Sequence, residues 1–224
     1  MRDGGASLTR SLKTLANLVA LALASPCALT CWLEQKLHPS GDGVFNAWTH
    51  VFALLPGHPG LYLRRAFYRQ TLERCSLESA IGFGAFFSHR QARVEDGVQI
   101  GPYAVVGMSH LRKGCLIGTR TSLLSGSTQH EWREGRWVPA DRSRFVRIEI
   151  GEHAWLGEAA TVMADVGAGS VVAAGAVVSS PVPAGVVVAG NPARFVRKLL
   201  REAPCRAAAG TEKAEREELL QPVH

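Results

Sequence analysis

The sequence of 224 residues predicts a mainly β fold: a parallel β-helix, preceded by an N-terminal helical segment and followed by a short C-terminal helix. Three observations predict it. From about Ile81 onward an apolar, mostly β-branched residue returns every six positions. The dipeptides Ile-Gly, Leu-Gly and Val-Gly lead most of these hexads, and a small residue often stands in fifth place. Aromatic residues make up only 7% of the chain against 23 glycines, so the core must be aliphatic and the turns tight. A period of six is neither helical nor that of an alternating strand. Three hexads to a turn place one aliphatic side chain inward on each face of a triangular prism, and each coil pairs with the next. A β-sandwich would instead show turn signals about every 8–12 residues and alternation of period two.

The elements follow in order. Residues 15–33 read LANLVALALASPCALTCWL, an apolar run about long enough to cross a bilayer. Arg2, Arg10 and Lys13 precede it, as in the first part of a signal peptide, but Pro26, Trp32 and Leu33 do not make a small-residue cleavage site. Pro26 also interrupts the run and breaks or kinks a helix there. Two readings stand: a membrane-contacting element bent at Pro26, extended by Trp48, Phe52, Leu54 and Leu55, or a helical cap on the protein itself. Residues 64–78, RRAFYRQTLERCSLE, read as an amphipathic helix with Phe67, Tyr68 and Leu72 on one face. Residues 81–93 form a first, less regular coil.

Regular hexads then begin at Ile100, Val106, Ile117, Leu123, Ile150, Leu156, Val162, Val166 and Val172. Pro181 and Pro183 end the strongest repeats, and ARFVRKLLRE after Pro192 reads as a C-terminal helix with a polar tail from Ala203. The chain thus divides into an N-terminal helical segment (1–80), a β-helix (81–190) and a C-terminal helix with tail (191–224). The hexads stop between 127 and 147, where STQHEWREGRWVPADRSRFVR is polar and carries two tryptophans. A long excursion from a regular coil is a common place for function.

The net charge of +6 favours anionic partners, among them phosphorylated cofactors and membrane surfaces. No basic stretch is interleaved with aromatics, which argues against nucleic acid. Cys27, Cys31, Cys75, Cys115 and Cys205 are odd in number and dispersed, which argues against a disulfide framework or zinc cluster and for a reducing compartment. Cys27 and Cys31 share a helical spacing and read as small apolar fillers.

The stretch IGEHAWLGEAATVMADVGAGSVVAAGAVVSSPVPAGVVVAGNPARFVRKL resembles the hexapeptide-repeat acyltransferases. Within them the chain is similar to the maltose, galactoside and streptogramin O-acetyltransferases and their exopolysaccharide-modifying relatives. The resemblance covers roughly residues 81–199; the last step rests on the apolar N-terminus and LLPGHPGLYLRRAFYRQTL. It implies a left-handed coil, which the pattern alone does not give and which runs against the usual right-handed crossover. It also implies a homotrimer with active sites between prisms, acetyl-CoA as acyl donor, a saccharide hydroxyl as acceptor, and no metal. A domain that uses acetyl-CoA stays inside the cell, on the cytoplasmic side of the inner membrane or in the cytoplasm, so residues 14–55 would touch the membrane surface without carrying the domain across.

By the same resemblance His130 is the catalytic base. A sugar hydroxyl is a weak nucleophile, and an imidazole takes its proton as it attacks the thioester carbonyl. Transfer is then direct, with an oxyanion-stabilising group that the sequence does not identify. Ala174, Ser179 and Ser180 match positions along the pantetheine; Ser180 stands where relatives carry lysine. Arg194 and Arg197 match arginines near the nucleotide phosphates. Glu158 replaces a common serine, and VMADVGAGS is shorter than its counterpart. Trp155, outward in its hexad, contacts either the pantetheine or a neighbouring subunit. His89 is a candidate for acceptor contact, and Trp132 and Trp137 either stack on a sugar ring or anchor the loop.

Two other classes fit less of the sequence. A zinc lyase of the γ-carbonic-anhydrase type would need three histidines at a trimer interface, for which His110, His130 and His153 are the candidates. A non-catalytic β-helix scaffold would have no use for the loop histidine or the terminal arginines. Within the acetyltransferases, an antibiotic or a free sugar is the rival acceptor.

Overall fold

In the computed structural model the hexads stack into six coils of a left-handed parallel β-helix, capped by helices at its N-terminal end. The structure describes residues 3–39, 41–127, 130–138 and 144–199. Inward residues form three files. Face 1 stacks Cys75, Val94, Leu111, Ile150, Val166 and Val182; face 2 stacks Ile81, Ile100, Ile117, Leu156, Val172 and Val188; face 3 stacks Phe87, Val106, Leu123, Val162 and Val178. Each is essentially buried, and burial of such a side chain stabilises by about 1.5–3 kcal/mol.

Six residues separate face 1 from face 2 in all six coils, and face 2 from face 3 in the five coils that reach face 3. The glycine behind the inward residue explains why the spacing is so strict. A Cβ on Gly101, Gly118, Gly151 or Gly157 would lie within 3 Å of the next coil's backbone, 2.4 Å from the Ala168 nitrogen in the case of Gly151. The Ile-Gly dipeptide is therefore a stacking signal as well as a turn signal. Every departure from the six-residue step falls where face 3 passes to face 1: Phe87 to Val94, Val106 to Leu111, Leu123 to Ile150, Val162 to Val166 and Val178 to Val182.

Helices α1 (Asp3–Leu37), α2 (Gly43–Ala53) and α3 (Gly57–Thr71) close the N-terminal end. Pro26 lies inside α1, which continues through it as one helix rather than a hairpin. The nearby Leu21 carbonyl accepts from Ser25 Oγ at 2.7 Å and Gln70 Nε2 at 3.2 Å. Ala20, Ala24, Ala28 and Cys31 form a buried stripe of small residues that lets α1 approach α3 closely.

The first coil would otherwise present an open row of backbone donors and acceptors. The buried Arg64 guanidinium donates to the Leu55 and Ile81 carbonyls at 2.6 and 2.8 Å, and its desolvation lowers its pKa. The Phe87 N–H donates to Tyr68 Oη at 3.3 Å and the Gly84 N–H to the Ala53 carbonyl at 2.8 Å. Stacked Phe45, Phe67 and Phe52, with Tyr68 against Phe87, fill the mouth of the prism. The buried Arg90 bridges Glu34, Asp42 at 2.8 Å and the Cys31 carbonyl at 2.7 Å, which ties α1 and α2 to the first coil.

Two boundaries differ from the sequence reading. The helix expected over 64–78 spans Gly57–Thr71, and the first strand, β1 (Arg74–Cys75), follows at once. Cys75 continues the helical spacing from Leu72, which hides its role as the first inward residue of face 1. The expected C-terminal helix is a strand, Arg194–Lys198, antiparallel to Val186–Ala189 of the last coil. The coil ends with unpaired backbone groups, and a segment that can pair with them outcompetes an isolated short helix. The tail from Ala203, with Cys205, lies outside the described residues.

Candidate active site

The irregular edge between faces 3 and 1 collects most of the chemistry. His89 stands there in the first coil, Met108 in the second, the excursion leaves from the third, and Ser179 and Ser180 occupy it in the fifth. Buried Ser125 anchors the departure: its Oγ accepts from the Met108 N–H at 2.8 Å, and its carbonyl accepts from Val146 N–H at 3.0 Å. Gly126 turns the chain outward with φ of +90°, a conformation that suits glycine. On return, the Phe145 ring packs on the His89 ring at 4.9 Å, so the excursion reaches back across the first coil.

The excursion itself is a hairpin, Glu131–Arg133 against Arg136–Val138. Trp132 and Trp137 face each other across it, edge to face at 5.3 Å, each more than half exposed. Glu131 accepts from Arg133 at 2.8 Å and Arg144 at 2.7 Å. The bond from Arg133 in particular holds its pKa below the usual carboxylate range. This pairing joins the hairpin to the returning limb. His130, exposed, stands immediately before the hairpin. The excursion residues 128–129 and 139–143 lie outside the described residues.

The remaining site residues lie elsewhere on the prism. Ala174 is exposed on the edge between faces 2 and 3, stacked over Gly157 so closely that a Cβ there would lie 2.5 Å from the Ala174 nitrogen. With Ala159 and Gly175 also exposed, this edge offers a shelf of small residues in the fourth and fifth coils, bordered by the exposed Glu158 and, in the two coils before, by Arg120 and Tyr103. Arg194 and Arg197 lie beyond its end on the terminal strand, opposite Ala189 and Val187. The residues thus fit an extended thioester arm along the shelf and an anionic group at the arginines. Trp155 points out of face 2, 51% exposed, with outward Leu116 and Val171 as its register neighbours. Within one chain the imidazole edge and the shelf are separated by the whole of face 3.

His110 and His153 are engaged separately. His110 Nε2 bonds Glu95 at 2.8 Å on the outside of face 1. Burial opposes ionisation of Glu95, but His110, the Lys113 N–H and Arg112 outweigh it and lower its pKa. The His153 ring lies over Gly114 on the edge between faces 1 and 2. Sequence reasoning missed Met108, Ser125 and Phe145; the shortened step from Val106 to Leu111 was the available signal for Met108.

No family model matches the chain. Serine acetyltransferase 2 of Arabidopsis thaliana is 34% identical over 123 residues, which is 53% of this chain and 34% of that protein. The acetyltransferase-like protein YJL218W of Saccharomyces cerevisiae is 39% identical over 54 residues, 23% of this chain and 28% of that protein. The chain therefore spans about a third of the length of the curated relatives it matches. Among solved structures, a maltose O-acetyltransferase from Clostridium difficile 630 superposes with a TM-score of 0.53 at 14% identity, over 69% of this chain and 84% of that one. The β-helix read from the hexads is thus the fold this chain shares with that maltose O-acetyltransferase.

Proposed function

We propose that this protein is an acetyl-CoA-dependent O-acetyltransferase acting on a saccharide hydroxyl, on the cytoplasmic side of the membrane, in the making of a cell-surface polysaccharide. The observation that carries the reading is the excursion, the longest departure from the coil. It leaves from the irregular edge, carries an exposed imidazole just before its hairpin and holds a tryptophan pair across that hairpin. His130 removes the proton of the acceptor hydroxyl as its oxygen attacks the thioester carbonyl; the C–S bond then breaks and the departing CoA thiolate takes that proton from His130 to become the thiol. The exposed ring faces of Trp132 and Trp137 suit the apolar face of a pyranose. Arg194 and Arg197 supply bidentate donors for phosphates, and the shelf at Ala174 carries the pantetheine.

The separation of imidazole edge and shelf favours a site completed between two prisms. The outward apolar file of Leu116, Trp155 and Val171 on face 2 supports assembly of identical chains, with Trp155 covered by the neighbour. Ser179 and Ser180 lie on the imidazole edge and would meet the cofactor near its thiol end. The test is release of CoA thiol from acetyl-CoA with a panel of saccharides. Saccharide-dependent release that disappears in His130→Ala supports the reading. Release independent of any saccharide, or undiminished in the variant, refutes it.

A further inference from the structure

The helix α1 has two sides with opposite chemistry. Its small-residue side packs on α3, while Leu15, Leu18, Leu23, Leu29, Trp32 and Leu33 on the other side are 48–63% exposed. No charged residue stands between Lys13 and Glu34, so this stripe is about 30 Å long. Val51 of α2 and Leu54 at its C-cap extend it, through Trp48, whose indole N–H donates to Thr30 Oγ1 at 2.9 Å. We propose that α1 lies flat in the surface of a lipid bilayer with this stripe buried among the acyl chains.

Length and hydropathy alone would equally allow a crossing helix. The polar contacts along α1 argue against it. Asn17 accepts from Arg65 at 2.6 Å, Ser25 donates to Gln70 at 3.0 Å, and the Cys31 carbonyl and Glu34 accept from Arg90. These contacts bind one side of α1 to the rest of the protein from Asn17 to Glu34. Crossing the bilayer would carry Arg65, Gln70 and Arg90 to hydrocarbon depth, at a cost that lying flat avoids. Charge supports lipid as what covers the stripe. Lys36 lies 5.6 Å over the Trp32 ring at the end of the stripe, a cation beside an aromatic, as suits the headgroup level. The chain carries +6 overall, which adds attraction to an anionic surface.

Flotation of the full chain with vesicles of phosphatidylcholine and phosphatidylglycerol tests this. Wild-type protein floats, and the exposed-face double variant Leu18→Asp/Leu29→Asp loses at least about tenfold in apparent affinity. Its circular dichroism stays unchanged, because neither side chain packs on the protein. For depth, a nitroxide is placed at Leu15→Cys, Leu23→Cys or Leu33→Cys in a Cys27→Ser/Cys205→Ser background. Equal, shallow depths at all three support the flat orientation. Greatest depth at position 23 would show a crossing helix, and a wild type that fails to float while the double variant only shrinks the oligomer would show a second copy; either overturns the proposal. No readout depends on catalysis, so failure of the acetyl-transfer test leaves this inference intact.

Discussion

Two glycines eighteen residues apart, Gly151 and Gly169, separate the two reasons a β-helix needs glycine. Gly151 has an ordinary backbone conformation, but a Cβ on it would lie 2.4 Å from the Ala168 nitrogen and 2.7 Å from its Cα. Gly169 has φ of +64° and open space where its Cβ would be. In Gly151→Ala the methyl group strikes backbone, which cannot rotate away as a side chain would. The coils must part by roughly 1 Å, straining the bond from the Gly151 N–H to the Val166 carbonyl at 2.8 Å. That places the cost at the upper end of overpacking, about 3 kcal/mol. Gly169→Ala incurs only the left-handed backbone penalty, about 1–2 kcal/mol. For a chain of this size the melting temperature should fall by about 6–12 °C in the first variant and about 2–8 °C in the second. Thermal unfolding followed by far-ultraviolet circular dichroism measures both. If Gly169→Ala costs as much as Gly151→Ala, backbone contact between coils is not what demands the Ile-Gly dipeptide.

His130→Ala should lower turnover by about 10²–10⁴-fold and leave the melting curve in place; steady-state thiol release and calorimetry check both halves. Trp155→Ser with Leu116→Ser should turn an oligomer into smaller species by light scattering without loss of β signal, since both side chains point out of face 2. Acid should release the helical cap first. Burial disfavours the charge on Glu34, but the Val44 and Phe45 N–H groups and Arg90 overcome this and lower its pKa. Its stabilisation is therefore present above the unfolded carboxylate pKa of about 4.3 and lost as pH falls through the lower folded value. Tryptophan fluorescence of Trp48 should change below about pH 4 while strand dichroism persists, and Glu34→Gln should abolish that step. Finally, burial pushes the thiols of Cys31 and Cys75 up to about 11 and Cys115 to about 12. Disulfide reagents should modify these three only after denaturation.

The coil was legible because its cause is local and repeated. Each inward Val, Ile or Leu and the glycine behind it meet the same neighbour one coil away, so the pattern reports the packing directly. The excursion was legible as the place where that pattern fails. The ends were not. Cys75 sits in helical phase with Leu72, and nothing local distinguishes a last helical turn from a first strand. Likewise Arg194–Lys198 is drawn into a strand by the open edge of Val186–Ala189, a demand that exists only once the last coil has formed. For the candidate site, the sequence singles out residues one by one but not their arrangement. His130 and Ala174 both stand out in the sequence, yet the fold puts them on different edges of one prism.

That separation makes a crystal structure of the oligomer with bound CoA the most direct test of the central claim. The account predicts CoA between two prisms, its arm on the Ala174 shelf, its phosphates at Arg194 and Arg197, and its thiol within hydrogen-bonding reach of an imidazole from His130. A CoA thiol lodged away from every copy of His130 would contradict it.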